Sequence, residues 1–418
     1  MLDPERQHRY ESSYTVTFPN LPSFKDEPSS ITLHQHMGKH DVLTMYYGQY
    51  TPTIVASVKT GAPVKIVFTN NKVKETFVGY ATGISYPVKQ AINKGVTITC
   101  VGSSYVLKDR PAKIWTDKTA PQIITDIATL HKLKPVVTPH PYKFSQQSLA
   151  GHSYWEKTQE LATRIGYACQ VKGTELHFHP VDKMIDTFMT SVPILSFQDT
   201  YMGYNANAYD HTLDYFEPIL DDFFENATNI RTTKHISGVD PVSGKVYKTK
   251  SSPKTVGKNI RATTKDPLFS SIETYSVSDS QSFSQTTSDA KAHLSRLSIP
   301  AKGMAQGDPR IAPWRTIEIK GTSDTTDGYW VVESAIHTFS VDGQYQTSFT
   351  CLTDGVSLNI GSSTRPSTSS GNPTINIQNL ISTANTVTPT SSTISSITPT
   401  INQSTTGYTV TPSRWVGQ

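Results

Sequence analysis

Charge is scarce in this sequence. Of its 418 residues only 17% are Asp, Glu, Lys or Arg and 36% are apolar, both low for a globular protein. A formal net charge of +4, with no compact Lys/Arg stripe, is too small to indicate binding to nucleic acid or an anionic membrane. Cysteine is rarer still. Cys100, Cys169 and Cys351 are far apart, odd in number and set within apolar strand patterns, so buried thiols are expected and no disulfide framework. No apolar run reaches the length of a membrane span, and the N-terminal stretch MLDPERQHRYESS holds no apolar signal core. Synthesis and folding in a cytoplasm are therefore expected.

Catalytic signatures are missing as well. There is no Gly-x-Ser-x-Gly elbow, phosphate loop, Cys-Gly-x-Cys or His-Glu-x-x-His. The expectation is a non-enzyme with no catalytic residue, cofactor or metal. His177 and His179 share one strand face, and His34, His36 and His40 cluster loosely. Without a visible third ligand they read as solvent or polar-face histidines. Asp214, Glu217, Asp221, Asp222 and Glu225 could pair carboxylates for glycoside cleavage, but a solvated helix face is the expected reading. Asn226-Ala227-Thr228 matches a glycosylation triplet by pattern only.

What is present is β pattern. Alternating runs at Tyr14–Phe18, Ile31–His36, Asp41–Tyr47, Val64–Phe68, Glu75–Tyr86 and Val96–Val101 predict many short strands, hence a barrel or sandwich. The texture then changes. Pro121, preceded by Thr119 as a cap, opens a helical stripe through Ile123, Ile124, Ile127 and Leu130. Ser153 and Glu156 have capping-box spacing before a second helix that Gly166 ends. A hairpin around Lys172-Gly173 completes a small α+β unit.

Strand signals return from Pro193, a short helical stretch is expected over 288–297, and Thr316–Ile319 leads into a hairpin at 328–352. In that hairpin a period of two puts Trp330, Val332, Ser334 and Ile336 on one face, Tyr345, Thr347, Phe349 and Cys351 run back, and Asp342-Gly343 supplies the turn. Beyond residue 361 the Ser/Thr/Pro/Asn-rich chain reads as a tether. The expected domains are a first barrel at 1–118, the α+β module at 119–182, a second barrel at 183–360 with a polar insertion at 209–265, and the tether at 361–418.

The ordered set of segments resembles the phage tail baseplate hub family, the late-control D proteins related to the base of type VI secretion spikes. The resemblance rests on Asp41-Val42-Leu43, Thr60 to Ile66, Phe77 to Ala81, Val101 to Leu107, Ser153 to Tyr167, Val239 to Lys245, Gly307 to Ile311, and Gly328 to Val332 with His337 and Tyr345. It covers about residues 14–355. The long polar segment at 209–252 and the tail depart from the family, and no hydrolase module is attached. The resemblance implies a mainly β fold with two tube-like barrels and a small α+β insertion. It further implies a homotrimer whose six barrels form a pseudo-sixfold ring at the virion tail tip, adapting the sixfold tail tube to a threefold spike, plug or fibre during tail assembly and genome delivery. Implied partners are the tube or distal tail protein, the tape measure protein and the spike, plug or fibre, with no specific nucleic-acid binding. Structural or interface candidates are Trp330, Val332, Tyr345, Gly79 and Trp155.

The rival reading is a tail protein that binds or degrades cell wall (peptidoglycan or glycan). The helical module has some flavour of a peptidoglycan binder, and possible contact with the host wall follows. Tyr154 and Trp155 discriminate: buried against the barrel they are structural, lining an open groove they favour wall binding.

Overall fold

The computed structural model describes residues 12–21, 26–48, 52–70, 73–86, 95–187, 192–197, 211–219, 233–239, 244, 246–251, 270–274, 297, 299–322, 327–340 and 344–353. All belong to one unit, Met1–Leu358. The tether at 361–418, the Asp342-Gly343 turn and the helical reading at 288–296 lie outside the described residues.

Six strands open the chain: β1 (Ser12–Thr17), β2 (Ser30–His36), β3 (Val42–Tyr47), β4 (Pro63–Asn70), β5 (Val73–Ser85) and β6 (Val96–Gly102). They pair antiparallel in the order β1-β4-β5-β6-β3-β2. The apolar alternation read from the sequence sets the burial: Ile31, Leu43, Met45, Ile66 and Ile98 are fully inside. A short helix, α1 (Pro52–Ser57), adds Ile54 and is followed by Val58 in the same core. The sheet rolls so that Tyr14 and Val16 of β1 share this core with Ile31 and Leu33 of β2. The Tyr14 hydroxyl donates to the Pro28 carbonyl at 2.6 Å across the gap between the two edges.

The α+β module follows. Its elements are β7 (Ile114–Thr119), α2 (Ala120–Leu130), β8 (Lys134–Val137), β9 (Lys143–Ser148), α3 (Tyr154–Ile165), β10 (Tyr167–Lys172), β11 (Glu175–Pro180) and α4 (Val181–Thr187). Both helices start where the sequence predicts. Thr119 and Gln122 form a capping box on α2, and Ser153 and Glu156 form one on α3, each satisfying orphan amides worth about 1 kcal/mol. Gly166 ends α3 in the left-handed region at φ 71. Ile123, Ile124, Ile127, Leu161 and Ile165 face Phe178 and Leu176 of the sheet β10-β11-β8, in which β8 runs parallel to β11.

The last six-stranded unit comprises β12 (Ile194–Ser196), β13 (His211–Pro218), β17 (Ile299–Gln306), β18 (Thr316–Lys320), β19 (Gly328–Ser340) and β20 (Tyr345–Thr353). Strands β14 (Thr233–Val239), β15 (Val246–Ser251) and β16 (Ser270–Thr274) lie between β13 and β17 in sequence and form a separate three-stranded sheet. The order β19-β18-β12-β13-β17-β20 returns to β19, so this barrel closes. Asp214 and Glu217 lie on β13, not on the expected helix face, because Leu213 alternates into the barrel core and extends the strand. Asp221, Asp222 and Glu225 are outside the described residues.

One strand serves both barrels. On one edge β19 pairs with β18 through Val331 and then with β2 from Ser334 to Ser340; its other edge pairs with β20 throughout. A β-bulge between Val332 and Ser334 marks the change. At that point Trp314 N–H donates to Val332 O at 3.0 Å, and Met37 N–H donates to Glu333 O at 2.9 Å. The bulge also corrects the period-two reading. Trp330, Val332, Ala335, His337 and Phe339 point inward, whereas Ser334 and Ile336 turn outward, leaving Ile336 37% exposed. Val331, which alternates to the opposite side from Trp330 and Val332, is buried against the module and Trp314.

Candidate functional site at the junction of the barrels

The inward side chains of β19 run through two cores. Trp330, Val332 and Ala335 belong to the closed barrel, whereas Phe339 belongs to the first. Phe339 stacks on Tyr345 at 3.7 Å and on Phe68 at 4.8 Å between ring centroids, and meets Tyr14 edge-on at 6.0 Å. The hairpin therefore closes one barrel and fills the other.

Between the cores lies His337, 2% exposed. Burial lowers its pKa to about 4, so the ring is neutral at pH 7. Its Nδ1 lies 2.8 Å from the Tyr345 hydroxyl and 3.1 Å from Thr347 Oγ1. With no proton on Nδ1, both hydroxyls can donate to it. Beside this group Asp308, 1% exposed, accepts from Arg310 Nη2 at 2.6 Å and contacts His211 Nε2 at 2.5 Å. Burial alone would raise the Asp308 pKa; hydrogen bonds and charge from His211 and Arg310 outweigh it and hold the carboxyl below its usual range.

A second polar cluster ties all three units together. Glu75 on β5 accepts from Arg315 of the closed barrel and, at 3.3 Å, from Lys172 of the module. Asn70 donates to the Gly307 carbonyl, Ser103 donates to the Gly173 carbonyl, and Gly38 N–H donates to Gln170 Oε1 at 3.2 Å. A partly open cavity of about 40 Å³ lies among Gln35, Asp41, Glu75, Lys172, His337 and Tyr345. Gln35 donates to Asp41 Oδ2 at 3.0 Å, while Asp41 Oδ1 is buried with no hydrogen-bond partner. Burial raises the Asp41 pKa to about 7, the Gln35 hydrogen bond and Lys172 opposing it.

The five candidates from the sequence do not converge on one patch. Trp330, 3% exposed and edge-on to Phe216 at 5.2 Å, and Val332 pack inside the closed barrel. Tyr345 lies at the junction. Gly79 sits in the first sheet, where an added Cβ would fall 2.3 Å from the Val101 carbonyl oxygen. Trp155 is buried on the module with its ring 4.7 Å from that of His40, whose Nδ1 contacts Ser104 Oγ at 2.7 Å. Tyr154 is 2% exposed, so neither aromatic lines an open groove. Asp41, Glu75, Lys172, Asp308 and Arg315 were missed; single charges inside strand patterns give no periodic signal, although Asp308-x-Arg310 in a turn was within reach.

The histidine pair departs from expectation. His177 and His179 are 4% and 3% exposed rather than solvent-facing. Leu176 and Phe178 of β11 pack into the core with α2 and α3, α4 also contacts the strand, and His179 Nδ1 contacts Thr138 Oγ1 at 2.7 Å. Among the described residues no group of three His, Cys, Asp or Glu could hold a metal. Cys100, Cys169 and Cys351 are buried free thiols, and burial pushes Cys100 up to about 12.

No family model matches the chain, and no curated protein matches it in sequence. Solved structures do match in shape. A tail protein from Neisseria meningitidis MC58 superposes with a TM-score of 0.58 at 12% identity, over 83% of this chain and 98% of its own. The 43 kDa tail protein of prophage MuSo2 from Shewanella oneidensis gives 0.55 at 12% identity, over 82% and 98%. The E. coli c3393 protein gives 0.51 at 11% identity, over 81% and 76%. Its structure is described as that of a type VI secretion component similar to T4 tail proteins gp27 and gp5. The fold is that of phage tail proteins. The mainly β architecture with two barrels and a small α+β insertion is thereby shown, at identities that carry the fold alone.

Proposed function

We propose that this chain is a structural protein of a phage tail tip or baseplate, acting as a trimeric hub. The observation that carries the reading is the pairing of two six-stranded units in one chain, joined into a single sheet through β2 and β19. Three copies then supply six barrels, matching a sixfold tube on one side and a threefold spike, plug or fibre on the other. The tail-protein fold supports this reading, as does the burial of polar groups in fixed internal networks rather than in an open cleft. In it the chain contacts the tube or distal tail protein, the tape measure protein and the spike, and its place is the virion tail tip.

Sedimentation and electron microscopy of the full chain test this directly. The expected result is a three-copy ring with six lobes that caps purified tail tubes. A stable monomer across micromolar concentrations that leaves tube ends bare would end the hub reading.

A further inference from the structure

Among the described sheets, β1 is the one terminal strand with an unguarded edge. It pairs with β4 from Ser12 to Thr17 in an unbroken register, and among the described residues no strand pairs with its other edge. Both edges of β2 are taken, by β3 and β19, so β1 and β2 do not close the first barrel by strand pairing. Sheet edges usually carry a charge, a proline or a bulge that stops a further strand from adding. The other terminal strands follow that rule, with Asp117 on β7, Lys134 on β8, Lys143 on β9, Lys172 on β10, Lys248 on β15 and Glu273 on β16. Strand β1, Ser-Ser-Tyr-Thr-Val-Thr, has none of these devices. Its Ser13, Thr15 and Thr17 are exposed, and Tyr14 and Val16, which face the core, are only half-buried.

The sequence holds a matching strand. Tyr14-Thr15-Val16-Thr17 recurs as Tyr408-Thr409-Val410-Thr411 in the C-terminal stretch and nowhere else. Threonine is common in that stretch, so the tyrosine and valine, two apart, carry the match; Thr386-Val387-Thr388 lacks the tyrosine. A period of two sets Tyr408 and Val410 beside Tyr14 and Val16, and the threonines beside the exposed face. Aromatic and Thr–Thr neighbours across strands are favourable pairs. More than fifty residues separate β20 from Tyr408. A coil of that length spans roughly 40 Å, beyond the ~30 Å width of a small domain.

We propose that Tyr408–Thr411 of one copy adds as a strand to the open edge of β1 in the next copy, latching neighbours together by main-chain hydrogen bonds. Pairing of β1 with β1 of a second copy is two-fold and stops at dimers, whereas a donated strand runs head to tail, and three donations close about a threefold axis. That closure rests on the ring reading above; the pairing of the two segments does not.

The test co-expresses two full-length variants, tagged Thr15→Cys and untagged Thr409→Cys, and oxidises the product; the native thiols are buried. Position 409 falls opposite position 15 in both the parallel and the antiparallel register that set Tyr408 and Val410 inward. A disulfide joining one tagged and one untagged chain is expected, in at least about tenfold higher yield than with Ser369→Cys replacing Thr409→Cys. Adding Val410→Pro, which removes an amide donor from the strand, should abolish the excess. Equal yields from positions 409 and 369, or a yield indifferent to Val410→Pro, overturn the proposal. A dominant disulfide between two Thr15→Cys chains marks two-fold pairing of β1 and overturns it as well. Hydrogen exchange supplies a measurement without new thiols: β1 amides that face the open edge should exchange at least about tenfold faster in the Val410→Pro chain than in the unsubstituted one, and equal rates overturn the proposal. Sedimentation of the unsubstituted chain is read first, so failure of the hub reading shows as a monomer, separately from the cross-link.

Discussion

The Tyr345 hydroxyl and His337 Nδ1 lie 2.8 Å apart where the two barrel cores meet. Both groups are buried, and burial holds His337 neutral and pushes the Tyr345 pKa well up. The pair is a neutral hydrogen bond between a strand and its own hairpin partner. Tyr345→Phe keeps the ring stacking on Phe339 and removes only this bond, so urea unfolding should show a loss of about 1–2 kcal/mol. Tyr345→Ala removes the stacking too and should cost about 3–5 kcal/mol. Equal losses would mean that the hydroxyl, not the ring, supports the junction.

Glu75 makes a different kind of connection. It receives two cations from two other units, Arg315 and Lys172, and its side chain is 22% exposed. Glu75→Gln removes the carboxylate that both cations share, in a site where burial already lowers the Lys172 pKa. Removing one partner of a fully buried pair costs about 3–5 kcal/mol; partial exposure reduces this to about 2–3 kcal/mol here. A double-mutant cycle with Arg315→Met should recover part of that loss. Additive losses would show that the contact carries no coupling.

How much of this was legible from the sequence differs by type of interaction. Period-two alternation located the strands of the first sheet, since one face is buried and the other is not. Thr119-Pro121 and Ser153-Glu156 located both long helices, because capping is local chemistry. The bulge at Glu333 was not legible; nothing in Val332-Glu333-Ser334 signals an extra residue, and it reversed the faces of Ser334 and Ile336. His177 and His179 were misread because burial of both rings depends on how β11 packs in the module, which a single strand pattern does not show. The Glu75–Arg315 contact joins residues 240 positions apart, and only the topology brings them together.

Asp41 gives a pH signature. Its pKa is raised by burial from 3.8 to about 7, so between these values the folded state holds a proton that the unfolded state has lost. Stability contributed by this group is therefore full below about pH 4 and falls as pH rises toward 7. His337 acts oppositely: with its pKa lowered from 6.5 to about 4, the unfolded state binds more protons in that window, and stability rises with pH. Charged and titratable neighbours of Asp41 are Lys172, Glu75, His40 and His337. Because the two trends offset, the wild-type profile hides them. Asp41→Asn isolates one, since the amide oxygen can still accept from Gln35. The variant should match wild type near pH 4 and exceed it by on the order of 1–3 kcal/mol at pH 8. No gain at pH 8 would mean that the carboxylate is solvated in the cavity.

Gly307 offers the sharpest steric test. A Cβ at this position would fall 2.1 Å from the Tyr345 ring, inside any tolerable contact. The residue cannot move away freely, because its N–H donates to Tyr345 O at 2.8 Å and its carbonyl accepts from Asn70. Gly307→Ala must therefore displace the Tyr345 ring from Phe339, and overpacking of this kind costs about 1–3 kcal/mol. Gly61→Ala is the contrasting control. No atom lies within 4 Å of the place its methyl would occupy, yet its φ of 87 strains any side chain, so a loss of about 1 kcal/mol is expected from backbone alone. The two mechanisms separate in a Tyr345→Ala background. Removing the ring should abolish most of the cost of Gly307→Ala and leave that of Gly61→Ala unchanged. If both costs persist, Gly307 is held by its backbone conformation and not by the aromatic ring above it.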